Sequence, residues 1–364
     1  MKTTSKFAVL LLCLSVLQVN ALSYDEWKAS KQASYKEYQV QYKARYAAFK
    51  NKVLMKWGDK TTLSSQHQYV TYTDDLDQRT VLDYKNNEIV IESLSAQSPD
   101  VEKALLVLQS TTVNQALQKD PILTNVNIAQ QSGSLLGSIS DLESLDTLVK
   151  SGKAETDTAK VKESATDKRI SRVRINLPDN VYVKRAEPFL PTASAMSQKH
   201  DVDSNLILAI AQTESSFNPL AQSPIPAFGL MQIVPSSAGL DVNQALNNKD
   251  QSPQASVLFQ PEENIDFGAG YLHLLNTRYL KNIKDERSRL YCIIAAYNTG
   301  AGNVASVFHP QGRKVINPAV AVINKLTPEE VYQRLVKELP YKETQMYLQK
   351  VTKALAQYQA ANPV

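Results

Sequence analysis

From Tyr24 to Trp57, apolar and aromatic side chains recur every three or four residues against a background of Lys, Gln and Ala, and Tyr35, Tyr38, Tyr42, Tyr46 and Phe49 share one stripe. That period predicts a single long helix. The stripe could stack on sugar rings, but packing against another element explains it more simply. From Tyr69 the period drops to two, in Tyr69-Val70-Thr71-Tyr72, in Thr80-Val81-Leu82-Asp83-Tyr84 and around Ile89-Val90-Ile91. These segments predict strands, with Asn86-Asn87 as a hairpin turn because Asn tolerates left-handed backbone. Arg172 to Leu177 alternates again. Between them, residues 131–167 are rich in Ser, Gly, Thr, Asp and Lys with one short apolar patch from Leu142 to Val149, which predicts a linker or a loosely packed excursion. Beyond Pro188 and Pro191 the pattern is helical almost to the C-terminus, and no repeat of solenoid period occurs.

The pattern therefore predicts an α+β chain in three parts. Residues 1–21 carry Lys2 and Lys6, an apolar core from Phe7 to Val19 too short to span a bilayer, and the small-residue site Val19-Asn20-Ala21, the marks of a signal peptide cleaved after Ala21. Residues 22–185 form a small N-terminal α+β domain that includes the linker-like stretch, and residues 186–364 form a mainly helical domain. Cys13 is preceded by Leu11 and Leu12 where a lipidation signal needs small residues, so a lipid anchor is not expected.

Composition narrows the picture further. Lys+Arg number 40 against 36 Asp+Glu, a charge of +4 that falls to about +2 once Lys2 and Lys6 leave with the signal, too balanced for a dedicated nucleic-acid binder. With Cys13 removed, Cys292 stands alone in an apolar run and behaves as a small buried hydrophobe, so no intramolecular disulfide forms. His67, His200, His273 and His309 lack the paired spacing of a zinc site, and neither a metal nor another cofactor is expected.

Candidate chemistry begins at Asp203, an acidic N-cap opening the apolar helix that runs through Leu206 and Ile210 to Glu214. Spacing by four puts the Glu214 carboxylate on the buried stripe near the helix C-terminus, where desolvation and the helix dipole both disfavour ionisation. A raised pKa suits a general acid, although a solvated carboxylate at a frayed helix end would show the same spacing. Gly229-Leu230-Met231-Gln232 then brings an amide able to donate and accept, and Ala296-Tyr297-Asn298-Thr299-Gly300 ends an apolar helix with a phenol and a second amide. Each segment alone is weak.

Together, Glu214-Ser215-Ser216-Phe217-Asn218, Gly229-Leu230-Met231-Gln232 and Ala296-Tyr297-Asn298 with Gly300 resemble the soluble-lytic-transglycosylase-type catalytic domain of the lysozyme superfamily. Pro261-Glu262-Glu263-Asn264-Ile265 with Gly268, and Glu343-Thr344 with Tyr347, match its remaining signatures, and the likeness spans roughly residues 186–360. The N-terminal region, with Tyr69-Val70-Thr71-Tyr72-Thr73-Asp74, is similar to the accessory domain of the membrane-bound lytic murein transglycosylase C family. The resemblance implies a lysozyme-like catalytic domain behind a smaller accessory domain, with Glu214 as sole acid/base and Ser215, Met231, Gln232, Tyr297, Asn298 and Tyr347 binding glycan. It implies a peptidoglycan substrate, location in the periplasm of a Gram-negative bacterium, and cell-envelope protein partners as candidates for the N-terminal domain, with membrane association left open. Two departures stand out: the absent lipidation signal, and His200-Asp201 in a turn where glycine is usual, which Asp tolerates through its access to left-handed backbone.

Glycoside hydrolases ordinarily use two carboxyl groups. Glu262 and Glu263 follow Pro261 in the opening turn of a helix, where acids are favoured by the dipole alone, so they and Asp266 are expected to be structural. A single acid suffices if the substrate supplies its own nucleophile. Three readings follow: a lytic transglycosylase, a hydrolytic muramidase on the same scaffold, and a non-catalytic peptidoglycan-binding protein, the last opposed by retention of the full motif set.

Overall fold

The computed structural model describes residues 24–361 apart from 96, 124–125, 127–132, 137–143, 162–166 and 179–180. The segment expected to be a signal peptide, its expected cleavage site and Cys13 lie outside the described residues. Helix α1, Tyr24–Trp57, occupies the span its period predicts. It precedes β1 (Gln68–Tyr72), β2 (Gln78–Asp83) and β3 (Glu88–Ser93), then the capped helices α2 (Val101–Ser110), α3 (Val113–Lys119) and α4 (Leu145–Ser151). Strands β4 (Lys153–Ala159) and β5 (Lys168–Asn176) complete a five-stranded antiparallel sheet of order β1-β2-β3-β5-β4. Asn87 takes φ 53° in the β2–β3 turn, as its side chain permits.

Part of the stretch expected to be linker-like is thus regular structure, because α4 and β4 both fall within residues 131–167. Strand β4 carries no period-two apolar signal because it is an edge strand with almost no buried face. Pairing with β5 and charge hold it in place: Glu155 and Asp157 meet Arg172, and Glu155 also meets Arg174. The same cross-strand register buries Glu92 between Arg79 and Arg172, at 2.5 and 2.6 Å, and Arg79 lies over the Trp57 ring.

The C-terminal part packs α5 (Leu190–His200), α6 (Ser204–Ser215), α7 (Pro261–Leu274), α8 (Glu286–Thr299), α9 (Ala301–Phe308), α10 (Ile316–Ile323), α11 (Pro328–Glu338) and α12 (Lys342–Ala361). Asp201 ends α5 at φ 53°, the left-handed conformation that its replacement of glycine demands. Helix α8 is buried through Cys292, Ile294, Ala295 and Ala296, and α12 lies along both α6 and α8.

The two parts share their main core, while Val53, Trp57, Leu63, Ala159 and Ile170 form a smaller cluster within the N-terminal part. One continuous apolar cluster joins Tyr42, Leu82, Ile89 and Leu105 to Ile210, Phe228, Ala295 and Leu348. The aromatic stripe of α1 makes the junction: Tyr42 and Tyr38 set their rings edge-on to Phe228, and the Tyr42 hydroxyl donates to the Ser223 carbonyl at 2.9 Å. Phe49 instead packs on Tyr72 of the sheet. The stripe therefore serves packing, on both parts of the chain.

Candidate active site

Helix α6 starts where Asp203 accepts from the Asn205 amide, and it buries Leu206, Ile210 and Glu214 on one stripe. Glu214 is only 8% exposed. Burial pushes its pKa up to about 8, the nearby Glu343 charge adds to the rise, and the Tyr347 hydroxyl partly opposes it by favouring the carboxylate. This carboxyl therefore holds its proton at neutral pH. The helix stops immediately after it, as Ser216 and Phe217 turn left-handed at φ 55° and 61°.

Across from this helix end, Phe228 and Ile233 exchange backbone hydrogen bonds and close the loop Gly229-Leu230-Met231-Gln232. The loop needs its glycine: Gly229 sits at φ 75°, and a Cβ there would lie 2.2 Å from the Leu258 carbonyl oxygen. The fully buried Asn264 on α7 fixes the loop with three hydrogen bonds, accepting from the Met231 amide at 2.7 Å and donating to the carbonyls of Phe228 and Leu258. Gln232, at φ 48°, donates its amide to the Gly229 carbonyl, while its buried Oε1 has no hydrogen-bond partner. An acceptor left unsatisfied in this way is costly unless a ligand donor completes it.

The third wall is the end of α8. Tyr297 donates to the Met231 carbonyl at 2.9 Å and stands close enough to Glu214 for that charge to raise its own pKa, after burial. Asn298 accepts from the Thr344 hydroxyl at 2.8 Å, leaving its NH2 group for another partner. From α12, Tyr347 brings a buried hydroxyl to Glu214, and the two groups shift each other's pKa.

The structure thus brings together Glu214, Gln232, Tyr297, Asn298 and Tyr347 from four separate segments. Ser215 and Met231, expected to line the cleft, turn their side chains inward. Ser215 is fully buried with its hydroxyl donating to the Ala211 carbonyl, and Met231 fills the space left by the missing Cβ of Gly268. Asp266 pairs with Lys199 and His200. Asn264 and Thr344 belong to segments that the sequence singles out, but their task of holding other site residues depends on contacts no local pattern reveals.

A buried glutamic acid at the end of one helix, a glycine-dependent loop bearing an amide, and a Tyr-Asn helix end are the features that the resemblance to a soluble-lytic-transglycosylase-type catalytic domain leads one to expect. The Transglycosylase SLT domain family matches residues 191–319, and the family described as membrane-bound lytic murein transglycosylase C, N-terminal domain, matches residues 34–120. Over 318 residues the chain is 34% identical to a membrane-bound lytic murein transglycosylase C of Pectobacterium atrosepticum, covering 85% of this chain and 88% of the relative. With that of Serratia proteamaculans the identity is 35% over 310 residues, covering 83% and 85%. The 70 kDa soluble lytic transglycosylase of Escherichia coli aligns with 50% of this chain and 26% of its own at 22% identity and a TM-score of 0.37. The chain belongs to the membrane-bound lytic murein transglycosylase C family. Among the described residues, no helix is long and apolar enough to cross a membrane.

Proposed function

We propose that this lytic transglycosylase cleaves the β-1,4 bond between N-acetylmuramic acid and N-acetylglucosamine in peptidoglycan without water, using Glu214 as its single acid and base. One observation carries this reading: Glu214 is buried and holds its proton up to about pH 8. A carboxyl so placed can protonate the glycosidic oxygen at neutral pH. The acetamido carbonyl of the muramic residue then stabilises the developing cation. Glu214, now a carboxylate, takes the proton of the same sugar's C6 hydroxyl as its oxygen closes on C1, and a 1,6-anhydro ring results. The proton given in the first step is recovered in the second, so no further group is consumed.

The unpartnered Oε1 of Gln232 suits a sugar N–H or O–H donor, and the free amide of Asn298 suits a sugar oxygen. Tyr297 and Tyr347 flank the acid, whereas Ser215 and Met231 contribute through their backbone. Residues 186–364 are the catalytic domain in this reading, and residues 22–185 an accessory domain whose outer surface is available to envelope partners. In this reading the segment before residue 22 acts as an export signal and the enzyme works in the periplasm. Replacing Glu214 by Gln tests the assignment. The amide is nearly isosteric but can neither give nor take the proton, so cleavage of purified sacculi should fall by at least about 10⁴-fold while glycan binding persists. Retention of the parent rate would exclude Glu214 from the chemistry.

A further inference from the structure

The turn that follows Glu214 is held in part by the N-terminal half of the chain. Ser216 and Phe217 are consecutive left-handed residues, and neither is a glycine. Such a conformation is disfavoured for residues that carry a Cβ, so surrounding contacts must maintain it. Those contacts come largely from outside α6. Phe217 stacks on Phe189, the Ser216 hydroxyl lies 3.2 Å from Nδ1 of His67, and the buried Asn218 amide donates to the Gln66 carbonyl at 3.1 Å. His67 is itself fixed against the sheet, where its carbonyl accepts from the Tyr84 amide at 2.9 Å. The ring is half-buried and also meets the Ser215 backbone, so it touches the residues on the C-terminal side of the acid directly.

We propose that His67, on the segment leading into β1, is a positioning residue for catalysis: by holding Ser216 in its left-handed turn it sets the direction of the Glu214 carboxyl. The proposal rests on the assignment of Glu214 as acid and base. Without this contact α6 is free to continue right-handed through Ser216 or to fray. Glu214, in its last turn, then loses its fit against Tyr347 and Tyr297. Burial together with Lys85 and Lys350 lowers the pKa of His67, against the opposing effects of the Ser215 backbone and Asp83, and so favours the neutral ring. A neutral imidazole and a hydroxyl can each donate or accept, which lets the pair close in either sense.

The test is steady-state kinetics of the mature chain on purified peptidoglycan strands. His67→Ala should lower kcat about tenfold with KM nearly unchanged, as expected when the reacting group is displaced rather than binding lost. Its alkaline limb should move to lower pH, because a less buried Glu214 loses its proton earlier. His67→Asn, which keeps a polar atom near the Nδ1 position, should restore most of the rate. Ser216→Ala should reproduce the loss without adding to that of His67→Ala. Unchanged kcat in His67→Ala would overturn the proposal, as would a loss that His67→Asn does not repair and that leaves the pH profile in place. Should His67→Ala fail to fold, Ser216→Ala decides alone, and an unaltered rate and pH limb there overturns the idea. Glu214→Gln run in parallel separates the two levels: parent-like activity in that variant removes both readings, whereas its inactivity beside normal His67 and Ser216 variants removes only this one.

Discussion

At the scale of single residues, the site gives up stability to keep one carboxyl protonated. Folded Glu214 titrates near pH 8, against about 4.5 for the exposed side chain. Between those values the unfolded chain releases a proton that the folded chain keeps, so this group lowers stability progressively as pH rises from 4.5 to 8. Glu214→Gln should therefore melt higher than the parent, with the gap small at pH 5 and reaching a few kcal/mol near pH 8. Thermal unfolding at the two pH values checks this, and a gap that shrinks toward alkaline pH would contradict it. Gln232 and Tyr297 should separate kinetically. Gln232→Ala removes the waiting acceptor and should chiefly raise KM, whereas Tyr297→Phe frees the Met231 carbonyl beside the acid and should chiefly lower kcat, each by about ten- to a hundredfold. Parallel kinetics on soluble muropeptide chains distinguish the two, and equal effects on both constants in both variants would remove their separate roles.

At the scale of elements, the loop around Gln232 depends on α7 through a single side chain. Asn264→Ala would strand the Met231 amide and the carbonyls of Phe228 and Leu258 in a dry interior, at a cost of about 3 to 5 kcal/mol. Denaturant unfolding should show that loss, and activity should fall with it even though Asn264 touches no substrate. Nothing in the local pattern around Pro261 announces this role, since the loop it serves lies 33 residues away in the chain. Periodicity is informative where one face is buried: α1 and the apolar run of α8 are legible because each presents a continuous apolar stripe. The same rule fails at β4, whose Lys153–Ala159 span is almost wholly exposed and is held by pairing and charge instead. Glu214 is legible because four-residue spacing from Leu206 and Ile210 puts it on a buried stripe. The inward orientation of Ser215 and Met231 is not, because it depends on the Ala211 carbonyl and on the gap over Gly268.

At the scale of the whole molecule, α1 and the segment from Ser65 to His67 join the N-terminal sheet to the loops around the acid. Tyr42 reaches Phe228 and Ser223 from one side, and His67 reaches Ser216 from the other. The N-terminal part is in this sense a piece of the site's frame, sharing one core with the helices that carry Glu214. The reaction proposed for this site needs that frame to keep one proton donor, Glu214, buried. The Glu343 charge adds to the rise in the Glu214 pKa, and Asp266 is paired with Lys199 and His200. The most direct test of this account is the mass of the products released from purified sacculi by the parent enzyme. Products lighter by one water than those of a hydrolase, carrying 1,6-anhydro muramic ends, are the expected result, and hydrated reducing ends would contradict it.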